Sequence, residues 1–169
     1  IKIWLDDAGG TAPQMPAEMV RAVVEASHAR DIRVAAHIHD LSQAQIALEN
    51  GVDILGHGIR DKEVDEATLT RMQDRGVWYI PTLQIDEAEY LYAEDPAVLR
   101  NPALRAAVSP ALLARFGDAG WREAQMRRAE AKKAEVRMNQ RNLAKLNKAG
   151  ISIGFGTDSG ATPLRVPGF

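Results

Sequence analysis

The sequence contains no cysteine, which excludes disulfide bonds and thiolate metal ligands but leaves the compartment undecided. It also lacks a strong charge of either sign, since 21 basic and 23 acidic side chains give a formal net charge of −2. This balance gives no indication of a nucleic acid or an anionic membrane as partner. Long hydrophobic runs are missing too, and no segment approaches the roughly 20 apolar residues of a membrane-spanning helix.

The composition is that of a globular protein. The 169 residues are enough for one sizeable core, and 46% of them are hydrophobic. The chain opens on IKIWL, a segment typical of a strand, and closes on TPLRVPGF, which has the character of a connecting loop. We therefore expect residues 1–169 to be a fragment of a single larger domain.

Short apolar segments alternate with helical patterns along the chain. Helices are expected to begin near Pro16, to be capped by Ser42, and to end at Gly76. The intervening segments appear apolar on both faces, and their alternation with helices predicts parallel strands. A doubly wound sheet and part of a (β/α)8 barrel both fit, although no glycine-rich phosphate-binding motif follows the first strand. The predicted strands are residues 1–5, 32–37, 52–57, 77–83 and 151–160.

Residues 84–149 interrupt this alternation. Short helical segments with three prolines precede a long, charged helix that ends at Gly150. We predict a mainly helical insertion or lid before the last strand. A partner-binding or self-associating helical arm remains an alternative, because the long helix carries a sparse apolar stripe. That stripe consists of Met126, Val136, Leu143 and Leu146.

Histidine is scarce, yet three of the four histidines lie at the ends of consecutive predicted strands. His37 ends the second strand and His39 lies just beyond it, His57 ends the third, and Asp158 lies near the end of the fifth. The carboxyl ends of parallel strands meet at one edge of an α/β fold, so these side chains should converge. Imidazole and carboxylate are ligands that suit zinc and similar ions. Each residue alone is more simply a loop or cap residue, and His28, on a helix, is taken as structural.

Five segments resemble, in order, strands four to eight of the metal-dependent amidohydrolase superfamily: IKIWLDD, RVAAHIHD, VDILGHGIRD, VWYIPTL and ISIGFGTDSG. The most similar branch contains imidazolonepropionase-like enzymes and metal-dependent dipeptidases. The resemblance spans nearly the whole chain outside 84–149. It implies an α/β fold, namely a partial TIM (β/α)8 barrel, with one or two divalent metal ions that are most commonly zinc.

The resemblance also implies roles for individual residues. His37 and His57 match two histidine metal ligands. Asp158 matches the aspartate that holds a metal and accepts the proton of the attacking water. His39 has no equally firm role in the family, and we expect it to contact the substrate or orient a neighbour.

Lys2 matches the lysine that, once carboxylated by carbon dioxide, bridges two metal ions in this superfamily. Carboxylation requires a neutral amine, which burial among Ile1 and Ile3 and a cationic metal site would favour. Without the resemblance, the residues themselves favour an ordinary salt bridge from Lys2 to Asp6 or Asp7.

The function implied is that of a hydrolase that cleaves an amide, peptide or cyclic amide C–N bond by attack of a metal-activated water. Small-molecule amides or dipeptides are the expected substrates. Two alternatives remain open: a hydrolase of esters, lactones or phosphotriesters, and a non-catalytic barrel fragment that serves as a binding or structural module. The superfamily's strand-one His-X-His pair does not precede Lys2, so we expect the fragment alone to be incomplete.

Overall fold

The computed structural model describes residues 1–160, and five short strands in that range form one sheet. Each strand pairs in parallel with the next along the chain. The predicted α/β class is therefore confirmed, although each strand is shorter than its predicted segment. The loop predicted at 162–169 lies outside the described residues. The strands are β1 (Lys2–Trp4), β2 (Ala35–His37), β3 (Ile54–Gly56), β4 (Trp78–Ile80) and β5 (Ser152–Ile153).

The chain divides into two compact units. The first comprises Ile1–Thr82 and Met138–Gly156, and it contains the whole sheet. The second comprises Leu83–Arg137 together with the described residues from Thr157 onward. The assignment of 84–149 as an insertion or lid on one barrel domain stays a prediction.

Three helices connect the first four strands: α1 (Ala17–His28), α2 (Leu41–Glu49) and α3 (Glu66–Arg75). Pro16 is the N-cap of α1. The predicted Ser42 cap is wrong, because Asp40 is the N-cap of α2 and the Gln43 side chain accepts a hydrogen bond from its backbone N–H (3.1 Å). Helix α3 ends at Gly76 as predicted, with the left-handed φ of 60° that glycine adopts without steric cost.

The two faces of the sheet differ. One face packs into the main core, which the flanking helices cover, and its strand residues are Ile3, Ala36, Leu55 and Tyr79. The opposite face carries Lys2, Trp4, His37 and Trp78, of which Trp4 is 54% and Trp78 41% exposed. The expectation of strands that are apolar on both faces is therefore wrong for β1 and β2, whose second face carries Lys2 and His37, whereas the second face of β3 and β4 carries Ile54, Trp78 and Ile80.

The second unit is helical and has its own core. A proline opens three of its helical segments, where the missing N–H has no helical partner. Tyr92 and Phe116 stack at 4.5 Å inside a cluster with Ala88, Leu104 and Val108. The segments are α4 (Gln84–Glu87), α5 (Leu91–Glu94), a 3-10 helix (Pro96–Arg100), α6 (Pro102–Ala107), α7 (Pro110–Gly117) and α8 (Ala119–Lys148).

Helix α8 is shared between the two units, and its residues from Met138 belong to the first. Within the predicted stripe, Val136 and Leu146 are buried, Leu143 packs against the main core, and Met126 is 39% exposed. Over residues 1–160, no helix combines the length and the apolar character needed to cross a bilayer.

Candidate functional site

Two of the predicted histidines come together at the carboxyl ends of neighbouring strands. His37 is the last residue of β2, and His57 directly follows β3. The parallel register places His37 beside Gly56, so the two imidazole rings lie on adjacent strands at almost the same level. Their ring centroids are 4.2 Å apart, and the ring planes are inclined at 63°.

The His37 ring is held by β1 and the residues after it. Trp4 stacks on the ring with centroids 3.4 Å apart, and Nε2 lies 3.3 Å from Oδ2 of Asp6. Burial lowers the pKa of His37 to about 4, although the hydrogen bond to Asp6 opposes this effect. The ring is therefore neutral at neutral pH, and its proton lies on Nε2, since a carboxylate can only accept. Nδ1 keeps its lone pair and is buried without a hydrogen-bond partner in the described structure.

The His57 ring is more deeply buried, with 3% of its surface exposed. Nδ1 lies 2.8 Å from Oγ1 of Thr82, and Nε2 makes a long contact of 3.5 Å with Nζ of Lys2. A protonated lysine has donors only, so Nε2 is the acceptor and the ring proton lies on Nδ1, from which it is donated to Thr82. His57 therefore presents Nε2, whereas His37 presents Nδ1.

Lys2 lies on the same face of the sheet as His37 but is not buried as predicted. Ile3 points to the opposite, covered face because neighbouring strand residues alternate, and Ile1 is 60% exposed. Burial among these two isoleucines therefore does not occur. Carboxylation of Lys2 stays a prediction.

His39 occupies a different position from His37 and His57. Its Nδ1 lies 2.7 Å from the Asp40 carboxylate, and its backbone N–H donates to Gln43 (2.7 Å) at the beginning of α2. Contact between His39 and a substrate stays a prediction. His28 is 2.8 Å from Oδ2 of Asp53, an ion-pair geometry that agrees with a structural role.

Four non-glycine residues that follow strands have left-handed backbone conformations. They are Ala8 (φ 52°), His57 (φ 70°), Thr82 (φ 40°) and Asp158 (φ 53°), which follow β1, β3, β4 and β5. Such conformations cost about 1–3 kcal/mol each and concentrate at functional sites. Asp158 belongs to the second compact unit, and its role as metal ligand and proton acceptor stays a prediction.

The donors of the first unit fit part of a metal site. Among residues 1–160, no group of three or more histidine, cysteine, aspartate or glutamate side chains is placed to hold an ion. However, the lone pair of His37 Nδ1 is buried without a hydrogen bond, beside a second imidazole whose Nε2 is an acceptor. Two neutral imidazoles of this kind are ordinary zinc ligands, and each has its other nitrogen hydrogen-bonded, as metal-binding histidines usually do.

Sequence reasoning did not single out Trp4 or Thr82, and it named Asp6 only as a salt-bridge partner of Lys2, although all three contact the two rings. The one available signal was position, because each stands in or just after a predicted strand. Nothing in the residue types distinguished them from ordinary loop residues.

A family model confirms the resemblance seen in the sequence. The model of the amidohydrolase family matches residues 8–166, almost the full chain. The chain belongs to the amidohydrolase family. Members of this family are generally metal-dependent, which agrees with the paired imidazoles.

Solved structures show the same fold for this amidohydrolase chain. An ochratoxinase from A. niger has 20% identity and a TM-score of 0.60 over 94% of this chain and 31% of its own. A Xaa-Pro dipeptidase with bound methionine in the active site has 23% identity and a TM-score of 0.53 over 88% and 30%. An amidohydrolase has 21% identity and a TM-score of 0.60 over 98% and 34%.

The amidohydrolase chain thus spans about a third of the length of these structures, as a partial TIM barrel does. This agrees with its five parallel strands and confirms the predicted fold class. No curated protein matches the chain.

Proposed function

We propose that the protein is a metal-dependent hydrolase that cleaves an amide, peptide or cyclic amide C–N bond with an activated water, and that residues 1–169 are only part of its catalytic domain. The main support is the pair of neutral imidazoles whose centroids lie 4.2 Å apart at adjacent strand ends. Membership of the amidohydrolase family gives the reaction class. Dipeptides or N-acyl amino acids are the proposed substrates, because one structural neighbour is a Xaa-Pro dipeptidase.

In the first unit, neighbouring residues would fix the tautomers of the two histidine ligands. Hydrogen bonds to Asp6 and Thr82 keep the proton of His37 on Nε2 and that of His57 on Nδ1, so that the opposite nitrogens would be the ones to hold a metal. Lys2, as its carbamate, would add an anionic ligand. When bound, a divalent ion, most simply zinc, would lower the pKa of a water and polarise the scissile carbonyl.

Asp158 would complete the chemistry. As a carboxylate it would accept the proton of the attacking water and pass it to the leaving nitrogen, which must be protonated to depart as an amine. The same residue would contribute a ligand oxygen. His39 would contact the substrate near the beginning of α2.

The test combines metal analysis with kinetics on the full-length protein. We expect the wild type to contain zinc, to hydrolyse dipeptides, and to lose activity on chelation. His57→Ala should lose bound metal, whereas Asp158→Asn should lower kcat by about 10²–10⁴-fold, the range of general acid–base catalysis.

His28→Ala is the matched control, because it removes a histidine on α1 that lies outside the proposed site. It should keep both metal and activity. Full dipeptide hydrolysis after chelation, or by Asp158→Asn, contradicts the proposal.

A further inference from the structure

Asn139, on the long helix α8, is fully buried (0% exposed) and lies in the first unit. Its Nδ2 donates to the backbone carbonyl of Pro81 (3.0 Å), and its Oδ1 accepts from the hydroxyl of Tyr79 (3.2 Å). That hydroxyl in turn accepts from the backbone N–H of Ile59 (2.9 Å). We call these three hydrogen bonds the Asn139 bridge.

The Asn139 bridge joins the two loops that carry the His57–Thr82 hydrogen bond. Ile59 stands two residues after His57, and Pro81 directly precedes Thr82. The His57 backbone N–H also donates to the carbonyl of Ile80 (3.0 Å). The separation of the two loops, and with it the 2.8 Å distance from Nδ1 of His57 to Oγ1 of Thr82, is therefore set both by this backbone bond and by Asn139, which touches neither side chain in these bonds.

Gly58 shows how closely the loop after β3 approaches Asn139. A Cβ atom added at Gly58 would lie 1.9 Å from Oδ1 of Asn139, so that the amide occupies space that any other residue would need. Burial raises the pKa of Tyr79 well above its ordinary value, which keeps the hydroxyl protonated as the donor to Asn139. The Tyr79–Asn139 hydrogen bond thus has a defined donor and a defined acceptor, and the close approach of Gly58 leaves the Asn139 amide no room to move.

The backbone that the Asn139 bridge holds is strained. His57 and Thr82 both have left-handed φ values, of 70° and 40°, which a non-glycine residue keeps only where its surroundings impose them. A buried, fully hydrogen-bonded network is able to impose such a conformation, because breaking it leaves polar groups without partners.

We propose that Asn139 is a positioning residue for His57: by fixing the spacing of the two loops it keeps the ring proton on Nδ1 and presents Nε2. The inference rests on the proposed metal-binding role of His57, which it deepens by assigning a supporting residue on α8. Asn139 acts through Pro81 and Tyr79 and does not contact the metal or the substrate.

The competing explanation is that Asn139 only stabilises the core, and the experiment separates the two. The full-length protein is labelled with 15N-histidine, and long-range 1H–15N NMR gives the tautomer of His57. Zinc affinity is measured by competition with a chromophoric chelator. Asn139→Ala should replace the single Nδ1–H tautomer by exchange between two tautomers, and weaken zinc binding by about 10- to 100-fold, as for other residues that orient metal ligands.

Asn50→Ala is the matched control. Asn50 is also a buried asparagine (8% exposed), but it ends α2 and bonds to Ile46 and Arg21 rather than to the strand-end loops. We expect it to lower stability while the His57 signals and the zinc affinity stay as in the wild type.

An Asn139→Ala protein that is folded, with unchanged His57 signals and unchanged zinc affinity, overturns the positioning role. If Asn139→Ala does not fold, Tyr79→Phe removes only the hydroxyl of the bridge and is judged by the same two readouts. A wild type that binds no zinc, but whose His57 tautomer responds to these changes, refutes the proposed function and leaves the positioning role intact.

Discussion

At the residue scale, His37 and His57 have different ring nitrogens as acceptors, because a different nitrogen of each ring donates a hydrogen bond to its partner. Asp6 accepts a hydrogen bond from Nε2–H of His37, and Thr82 accepts one from Nδ1–H of His57. The two accepting nitrogens therefore come from rings inclined at 63° to each other. This arrangement needs no charged imidazole, in agreement with the pKa of about 4 for His37, which burial causes.

Thr82→Val tests the partner of His57 directly. Valine keeps the branched shape of threonine but removes Oγ1, which leaves Nδ1 of a buried ring without an acceptor. We expect a loss of about 1–3 kcal/mol in the free energy of unfolding, measured by urea denaturation, and loss of the single His57 tautomer in 15N NMR. Thr82→Ser keeps the hydroxyl and should preserve the tautomer. An unaltered tautomer in Thr82→Val contradicts this role.

The sequence predicted His37 and His57 because histidine is rare in the chain and both stand at strand ends. It did not predict Trp4 or Thr82, or the contact of Asp6 with His37, since these residue types are common near strands. Their contacts follow from register, for example the pairing of Trp4 with His37 across β1 and β2. Register is a property of two segments that are far apart in sequence, and single-segment patterns do not contain it.

At the element scale, the parallel strands and their helices follow from hydrophobic patterning, whereas the helix ends depend on competition between neighbouring polar residues. Asp40 and Ser42 are both good N-cap types. Gln43 favours Asp40, because its side chain accepts from the backbone N–H groups of both His39 (2.7 Å) and Asp40 (3.1 Å). That geometry exists only once the turn has formed.

Asp53 connects α1 with the segments that precede β2 and β3, and its contacts predict a pH dependence of stability. Its carboxylate accepts from the Val34 backbone N–H (2.8 Å) and bonds to His28 on α1 (2.8 Å). Burial alone would raise the pKa of Asp53, but these two interactions outweigh it and lower the pKa below its ordinary value. A carboxyl with a lowered folded-state pKa stabilises the protein above its unfolded-state pKa, and that stabilisation is lost as the pH falls through the folded-state value.

We therefore expect Asp53→Asn to be less stable than wild type at neutral pH by about 1–3 kcal/mol, and the difference to shrink below about pH 4. Urea denaturation at several pH values measures this. Asp31→Asn, at an exposed position, controls for the loss of a negative charge. A stability difference between wild type and Asp53→Asn that is independent of pH contradicts the expectation.

At the scale of the whole molecule, the partial barrel and the family were predictable because five strand segments occur in a recognisable order. The division of α8 between the two compact units was not predictable from the sequence. Asn142 donates to the carbonyls of Ile59 (2.9 Å) and Lys62 (2.8 Å), and Leu146 lies in the main core, so the end of this helix belongs to the first unit. These contacts join positions about 80 residues apart, a distance over which local periodicity carries no information.

The separate core of the second unit predicts a local response to Phe116→Ala. Phe116 is fully buried and stacks on Tyr92, and its truncation should cost about 3–5 kcal/mol in local stability. Hydrogen exchange should accelerate for amides between 88 and 116, while β1 to β4 keep their protection. Phe155→Ala is the control, because Phe155 is 94% exposed. Equal acceleration in both units contradicts the expectation.

The sequence separation between Asn139 and its hydrogen-bond partners has a consequence for biosynthesis. Its partners Pro81 and Tyr79 precede it by 58 and 60 residues, so they leave the ribosome well before it does. Chains fold from the amino terminus as they are made, and the first four strands can pair during this interval. The arrangement around the imidazole of residue 57 is then complete only after the 58 to 60 residues that separate Asn139 from these partners have been synthesised.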